Sequence, residues 1–390
     1  MADKDFDYEH YFDWAATTPP DQDILKESLE ITMKNWGNPS SSHQIGKDAK
    51  SILENARNVA AKAMGVSPQT IYFTSGGTES DQIPLLALLA KPAKGTVLFS
   101  SIEHPAVREQ ALALKNCGWN VVSIPSDKNG IITPQAVLDT LTSDTMLVCV
   151  MAVNNETGAI QPIYEIADAI TKWADGKRKP KFHVDCVQAA GKIPLKLAGS
   201  GIDSAAFSSH KICGPRGIGI LYLKNSMEVF LRGGGQENGI RSGTENVFGA
   251  LAFSKALERY YNCQHYDTQK KITYDFIANL TSLPNCTIIP PGRIENPDLY
   301  SPYVVQAAFK NIPGNVMVRA LDSKGFCIST GSACSTKKNN RPVLEAMKVS
   351  ADLRETSVRF SFGPKTTANG VKELFEAVKD VYKQFNNLEK

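Results

Sequence analysis

The sequence predicts an α/β protein: a mostly parallel seven-stranded sheet flanked by helices, joined to a smaller α+β domain. Three observations carry this reading. Seven short apolar runs fall between residues 71 and 223, helical stretches separate them, and the texture becomes mixed after about residue 255. Strands that are apolar throughout are buried on both faces, as parallel strands covered by helices are. At 390 residues the chain has room for about two domains of ordinary size.

The elements follow in order. Residues 43–64 read as an amphipathic helix, with Ile45, Ala49, Ile52, Leu53, Ala56, Val59, Ala60 and Ala63 at three-to-four spacing behind a Ser40-Ser41-Ser42 cap signal. The strand runs are "IYFTS" (71–75), "TVLFSS" (96–101), "NVVSIP" (120–125), "MLVCVMAV" (146–153), "FHVDC" (182–186), "AAFSS" (205–209) and "GIGILYL" (217–223). A long polar helix is expected near 250–280. Beyond it lie apolar runs at 303–309, 316–321, 326–330 and 357–362, and a last helix at 369–386. We place residues 14–256 in the large domain, and residues 1–13 with 257–390 in the small one.

Composition narrows the function classes. A net charge of +3 is too small to imply nucleic acid or a membrane surface as a partner. The N-terminus, "MADKDFDYEHYFDW", is acidic and aromatic and resembles no targeting peptide, and no apolar run is long enough to span a bilayer. The expected address is the cytoplasm. The eight cysteines (117, 149, 186, 213, 263, 286, 327, 334) include no C-x-x-C pair, so neither a disulfide framework nor a zinc site is expected.

In parallel sheets, ligands bind beyond the carboxyl ends of the strands. After the first strand, Gly76-Gly77-Thr78 opens a helix whose free N–H groups and dipole suit a phosphate, although such a run also serves as a plain turn and N-cap. Asp185 ends a buried strand, with Gln188 three residues on. It either caps the next helix or pairs with a cofactor's pyridinium nitrogen. Lys211 follows the next strand, between His210 and Gly214-Pro215, where its amine can form a Schiff base. Ser208 and His210 add donors for a phosphate. Phosphate seat, strand-end Asp and strand-end Lys, in that order, form the inventory of a pyridoxal 5'-phosphate site.

The motifs "YFDWAATTP" (11–19), "GNPSSSH" (37–43), "IYFTSGGTES" (71–80), "EHPAV" (103–107), "VNNETG" (153–158), "HVDCVQ" (183–188), "SSHKICGPRGIG" (208–219), "GGGQENGIRSGTEN" (233–246), "STGSACST" (329–336) and "SVRFSFG" (357–363) span nearly the whole chain. Together they resemble the NifS/IscS-type cysteine desulfurases, within the class V branch of the fold-type I pyridoxal-phosphate transferases. The resemblance implies that Lys211 forms the Schiff base and moves the Cα proton of the substrate. It implies that Asp185 pairs with the ring nitrogen, Gln188 hydrogen-bonds the phenolic oxygen and His104 stacks on the ring. Gly77, Thr78, Ser208 and His210 would hold the phosphate, with Thr244 supplied by the partner of a homodimer. Asn155 and Arg359 would fix the carboxylate of L-cysteine, with Asn38 nearby. A guanidinium suits Arg359 because it grips a carboxylate with two parallel bonds.

Cys334 sits among small residues that leave its sulfur accessible, and the resemblance makes it the sulfur acceptor. It would carry a persulfide to an acceptor protein such as an iron–sulfur scaffold, or toward tRNA thiolation. A free thiol has a pKa near ~8.5, so only a small fraction is thiolate at neutral pH, but that fraction is strongly nucleophilic. The pattern departs from the family at Cys186, at Cys213, at Asn238 in place of the usual Arg, and in the segment after Cys334. Selenocysteine lyase and aminotransferase activities would use nearly the same residues, and an aminotransferase has no need of Cys334.

Overall fold

The computed structural model describes residues 8–331 and 341–387. Helices α1 (Gln22–Lys34) and α2 (Gln44–Met64) precede β1 (Ile71–Thr74), α3 (Gly77–Leu86), β2 (Thr96–Ser100), α4 (Pro105–Asn116) and β3 (Asn120–Ile124). Then come α5 (Pro134–Thr140), β4 (Thr145–Cys149), α6 (Ile163–Ala174), β5 (Lys181–Asp185), β6 (Ser204–Ser208) and β7 (Gly219–Leu223). The seven strands form one sheet in the order β1-β7-β6-β5-β4-β2-β3. Only β7 runs against its neighbours, β1 and β6; every other pairing is parallel. Strands β2, β6 and β7 are buried at every residue, as helices on both faces require.

Helix α3 leaves the edge strand β1 and crosses to pack on β5, β6 and β7. Its N-terminus thereby reaches the ends of β5 and β6, and this crossing creates the site. Helix α2 buries Ala49, Leu53, Ala56, Ala60, Ala61 and Met64. Its cap is His43, whose Nδ1 accepts from the Gly46 N–H at 3.3 Å, rather than the serine run before it. Ile45, expected on the inner face, is exposed.

The rest of the chain forms α7 (Val247–Tyr260), α8 (Tyr266–Thr281), β8 (Cys286–Ile289), α9 (Gly292–Glu295), β9 (Val304–Phe309), α10 (Gly314–Asp322), α11 (Pro342–Ala346), α12 (Ala351–Glu355), β10 (Ser357–Ser361) and α13 (Ala368–Asn387). A three-stranded antiparallel sheet, β10-β9-β8, backs a second apolar core in which Phe276 meets Phe360 and Phe362 edge-on at 5.2 and 5.8 Å. The long helix expected over 250–280 is two helices, because Cys263 takes a left-handed conformation (φ 56°) that an α-helix cannot contain. The apolar run at 316–321 is helical, and 326–330 contributes only isolated bridges.

The N-terminal segment ties both parts to the site. Phe12 N–H donates to Cys327 O at 2.8 Å, Ser361 N–H to Phe12 O at 2.8 Å, and Thr18 N–H to His210 O at 2.8 Å. Among the described residues, no helix is long and apolar enough to cross a membrane.

Candidate active site

At the carboxyl ends of β1, β2, β4, β5 and β6 lies a cavity of about 240 Å³. It collects Gly77, Thr78, His104, Asn155, Asp185, Gln188, Ser208, His210, Lys211 and Arg359, which is most of the predicted set. Asp185 ends β5 and is buried; its side chain accepts from the Val187 N–H at 2.9 Å. Burial, reinforced by Asp81, lifts its carboxyl from an ordinary 3.8 to about 8. Lys211 and His183 pull it back only in part.

Helix α3 points its free N–H groups into the same cavity. A side chain at Gly77 would bring a Cβ within 2.8 Å of Val187 Cγ2, so only glycine lets the helix start come this close to the end of β5. Ser208 and His210 flank it. His210 Nδ1 lies 3.1 Å from Thr17 Oγ1, and burial with the nearby Lys211 and Lys192 charges pushes its pKa down to about 4. The ring is therefore neutral at physiological pH.

His104 caps α4 by accepting the Ala106 N–H at Nδ1, 3.1 Å away. Burial, with Lys211 and Arg108 nearby, lowers its pKa to about 4. Because Nδ1 is an acceptor, the neutral ring carries its proton on Nε2. Lys211 Nζ donates to the carbonyls of Ala15 and Ala16 at 2.6 and 2.7 Å, where the N-terminal segment crosses the cavity. Arg359, in β10, is buried and held rigidly: Nη1 donates to Asn155 O at 2.9 Å and Nη2 to Asp13 Oδ1 at 2.8 Å, while its buried Nε has no acceptor among the described residues. A guanidinium fixed this way is a preorganised seat for a carboxylate.

Beneath the cavity lies a polar layer the sequence did not disclose. His183 Nδ1 meets Ser204 Oγ at 2.8 Å and Nε2 meets Asp81 Oδ1 at 3.1 Å. Burial drives the Asp81 carboxyl upward and the His183 ring down to about 4. Glu103, next to His104, accepts from Ser100 Oγ at 2.5 Å and the Met151 N–H at 2.7 Å, and burial raises it to about 8.

Two predicted residues lie outside this cavity. Asn38 is exposed, with Oδ1 accepting the Ser40 N–H at 2.9 Å in a local turn, and Thr244 is exposed beyond the cavity wall. Cys334 lies outside the described residues. The flanking Gly331 and Arg341 both sit at Glu156: a Cβ on Gly331 would stand 2.9 Å from Glu156 Oε2 and from Arg341 Nη2, and Arg341 Nη2 lies 3.4 Å from Glu156 Oε2. Sequence reading missed Asp81, Met151, Ala15 and Ala16 as lining residues. Only Asp81 carried a usable signal, since it falls one helical turn after Thr78 on the same face of α3. Cys213 is buried in a left-handed turn (φ 62°), its N–H held by Thr18 Oγ1 at 2.8 Å, and burial pushes its thiol up to about 11. Burial and a raised pKa both keep this thiol from acting as a thiolate.

The aminotransferase class-V family model matches residues 10–374. The chain belongs to that family. It is 37% identical over 390 residues to a NifS/IcsS protein homolog of Lactobacillus delbrueckii subsp. bulgaricus, covering 97% of this chain and 98% of the relative. It is 35% identical to the cysteine desulfurase IscS of Methanosarcina thermophila, covering 97% of this chain and 93% of that protein. A solved NifS-like protein superposes with a TM-score of 0.87 at 32% identity, covering 95% of this chain and 98% of the other.

The cofactor is pyridoxal phosphate, and the residues present fit it. The Lys211 amine reaches the cavity for the aldehyde, the buried Asp185 carboxyl answers a ring nitrogen, and the α3 N-terminus with Ser208 and His210 offers donors for the phosphate.

Proposed function

We propose that this enzyme, a pyridoxal-phosphate-dependent cysteine desulfurase, removes sulfur from L-cysteine to leave L-alanine, and that Cys334 takes up the sulfur as a persulfide. The observation that carries this reading is the convergence of Lys211, Asp185, His104 and Arg359 on one cavity. The bound cofactor supplies an electron sink for the Cα carbanion. Arg359, locked by Asp13 and the Asn155 carbonyl, receives the substrate carboxylate and aims the Cα–H bond. The Lys211 amine accepts the Cα proton. The neutral His104 ring offers its Nε2–H for proton transfer without adding charge to the cavity.

Cys334 then forms a sulfur–sulfur bond to the substrate as the Cβ–S bond breaks. In support, both ends of the segment that carries it meet at Glu156, beside Asn155 of the cavity. An aminotransferase would need Lys211 and Asp185 but not this cysteine. The test is Cys334→Ala: it keeps the visible absorbance of the bound cofactor but loses sulfide release from L-cysteine by about 10³-fold or more, a typical effect of deleting a nucleophile. Sulfide release at the parent rate would refute the role.

The reading includes a homodimer. Leu29, Met33, Trp36 and Ile45 are 50%, 68%, 74% and 42% exposed, an apolar surface around the turn that holds Asn38. Asn38 and Thr244 would then serve the partner's cavity. The division into residues 14–256 and residues 1–13 with 257–390 is supported by Phe12 lying in the second core and α7 in the first. A cytoplasmic address fits the seven described cysteines, all free. The sulfur would pass to an acceptor protein such as an iron–sulfur scaffold.

A further inference from the structure

Lys192 lies in the turn beyond β5 and is buried beside the cavity without lining it. Its Nζ donates to Gln188 Oε1 at 2.6 Å, its one hydrogen bond among the described residues. Gln188 Nε2 in turn donates to Ala15 O at 2.8 Å, the same carbonyl that receives Lys211 Nζ. An ammonium has donors only, so the oxygen of the Gln188 amide must face Lys192. Both amide N–H bonds then lie on the other side. One goes to Ala15, and the second belongs to the cavity that Gln188 lines.

A buried ammonium served by one neutral acceptor is costly to keep. Among the described residues, the groups around it supply no carboxylate. Lys211, Arg359 and His210 face it from the cavity side, and Cys213, Tyr260 and Tyr303 line the small pocket on its other side. Burial and the Lys211 charge push its pKa down to about 7. A buried amine kept in so poor a setting for its charge calls for a role outside folding.

We infer that Lys192 is a positioning residue: it fixes the Gln188 amide with an N–H toward the phenolic oxygen of the bound cofactor and so holds that oxygen as the anion. This rests on the reading that pyridoxal phosphate occupies the cavity with its phenolic oxygen toward Gln188. Without Lys192 the amide keeps only its bond to Ala15 O, and its oxygen loses the donor that holds it away from the cavity, where it would repel a phenolate. The negative oxygen, in return, draws Lys192 toward its charged form, so each group stabilises the other through the amide.

The test titrates the visible absorption of the purified, cofactor-loaded enzyme against pH, in the parent, Lys192→Met, Gln188→Leu and the double variant. The midpoint reports the proton shared between the phenolic oxygen and the Lys211 nitrogen. In Lys192→Met it is expected to rise by about one pH unit, a tenfold gain in proton affinity. Gln188→Leu should raise it similarly, and adding Lys192→Met to Gln188→Leu should add nothing. An unchanged midpoint in Lys192→Met overturns the inference, as does a full further shift on the Gln188→Leu background. Removing a poorly paired buried charge should leave the melting temperature equal or higher, which a purely structural lysine would not do. Should Lys192→Met lose the cofactor, Gln188→Glu decides: it keeps the bond to Lys192 but turns an acceptor inward, so its midpoint must rise, and an unchanged one overturns the inference. A parent with no visible band would instead defeat the underlying assignment of the cavity.

Discussion

Asp185 is proposed to answer the ring nitrogen of the cofactor, and its environment makes a test possible without turnover. Its folded pKa is raised to about 8, so in the cofactor-free chain its contribution to stability is full below its ordinary range and is lost as pH rises toward about 8. Asp185→Asn removes that penalty. The cofactor-free variant should be more stable than the cofactor-free parent by a margin that grows from pH 5 to pH 8, at up to about 1.4 kcal/mol per pH unit. Denaturant titrations at several pH values measure this, and a margin that stays flat with pH would contradict the assignment. Asp185 and Lys211 were legible in the sequence because each ends a recognisable strand. Lys192 and the Ala15–Ala16 carbonyls were not, because their roles arise from chain segments that meet only in the fold.

At the scale of elements, the strands of the large sheet were readable because all but the edge strand β3 are buried nearly throughout, and burial writes itself as a continuous apolar run. What the sequence hid were interruptions set by backbone conformation, such as the left-handed Cys263 that splits α7 from α8, and a cap supplied by an imidazole in place of a hydroxyl. The loop before α7 is pinned by a contact that no pattern announces. Arg57 of α2 grips Glu237 with two bonds of 2.7 Å and also donates to Ile71 O at 2.7 Å, while Glu237 accepts the Phe73 N–H at 2.7 Å. Both partners are buried, so removing one strands a charge. Arg57→Ala should destabilise the chain by about 3–5 kcal/mol in denaturant unfolding. A loss within experimental error would show that the pair is dispensable.

Across the whole molecule, the N-terminal segment, the large sheet and β10 must come together before the site exists, since Lys211 rests on Ala15 and Ala16 and Arg359 on Asp13 and Asn155. The proposed homodimer would extend this dependence to a second copy through the exposed Asn38 and Thr244. Trp36→Glu should shift the chain from dimer to monomer in light scattering and weaken its hold on pyridoxal phosphate, whereas an unaltered dimer would place the interface elsewhere. The central claim is that an amine at residue 211 and a thiol at residue 334 divide the work on one substrate. The most direct measurement is peptide mass spectrometry of the loaded enzyme mixed briefly with L-cysteine under non-reducing conditions. The Cys334 peptide should gain the mass of one sulfur atom in the parent and not in Lys211→Ala. No added sulfur in the parent, or equal gain in both, would contradict it.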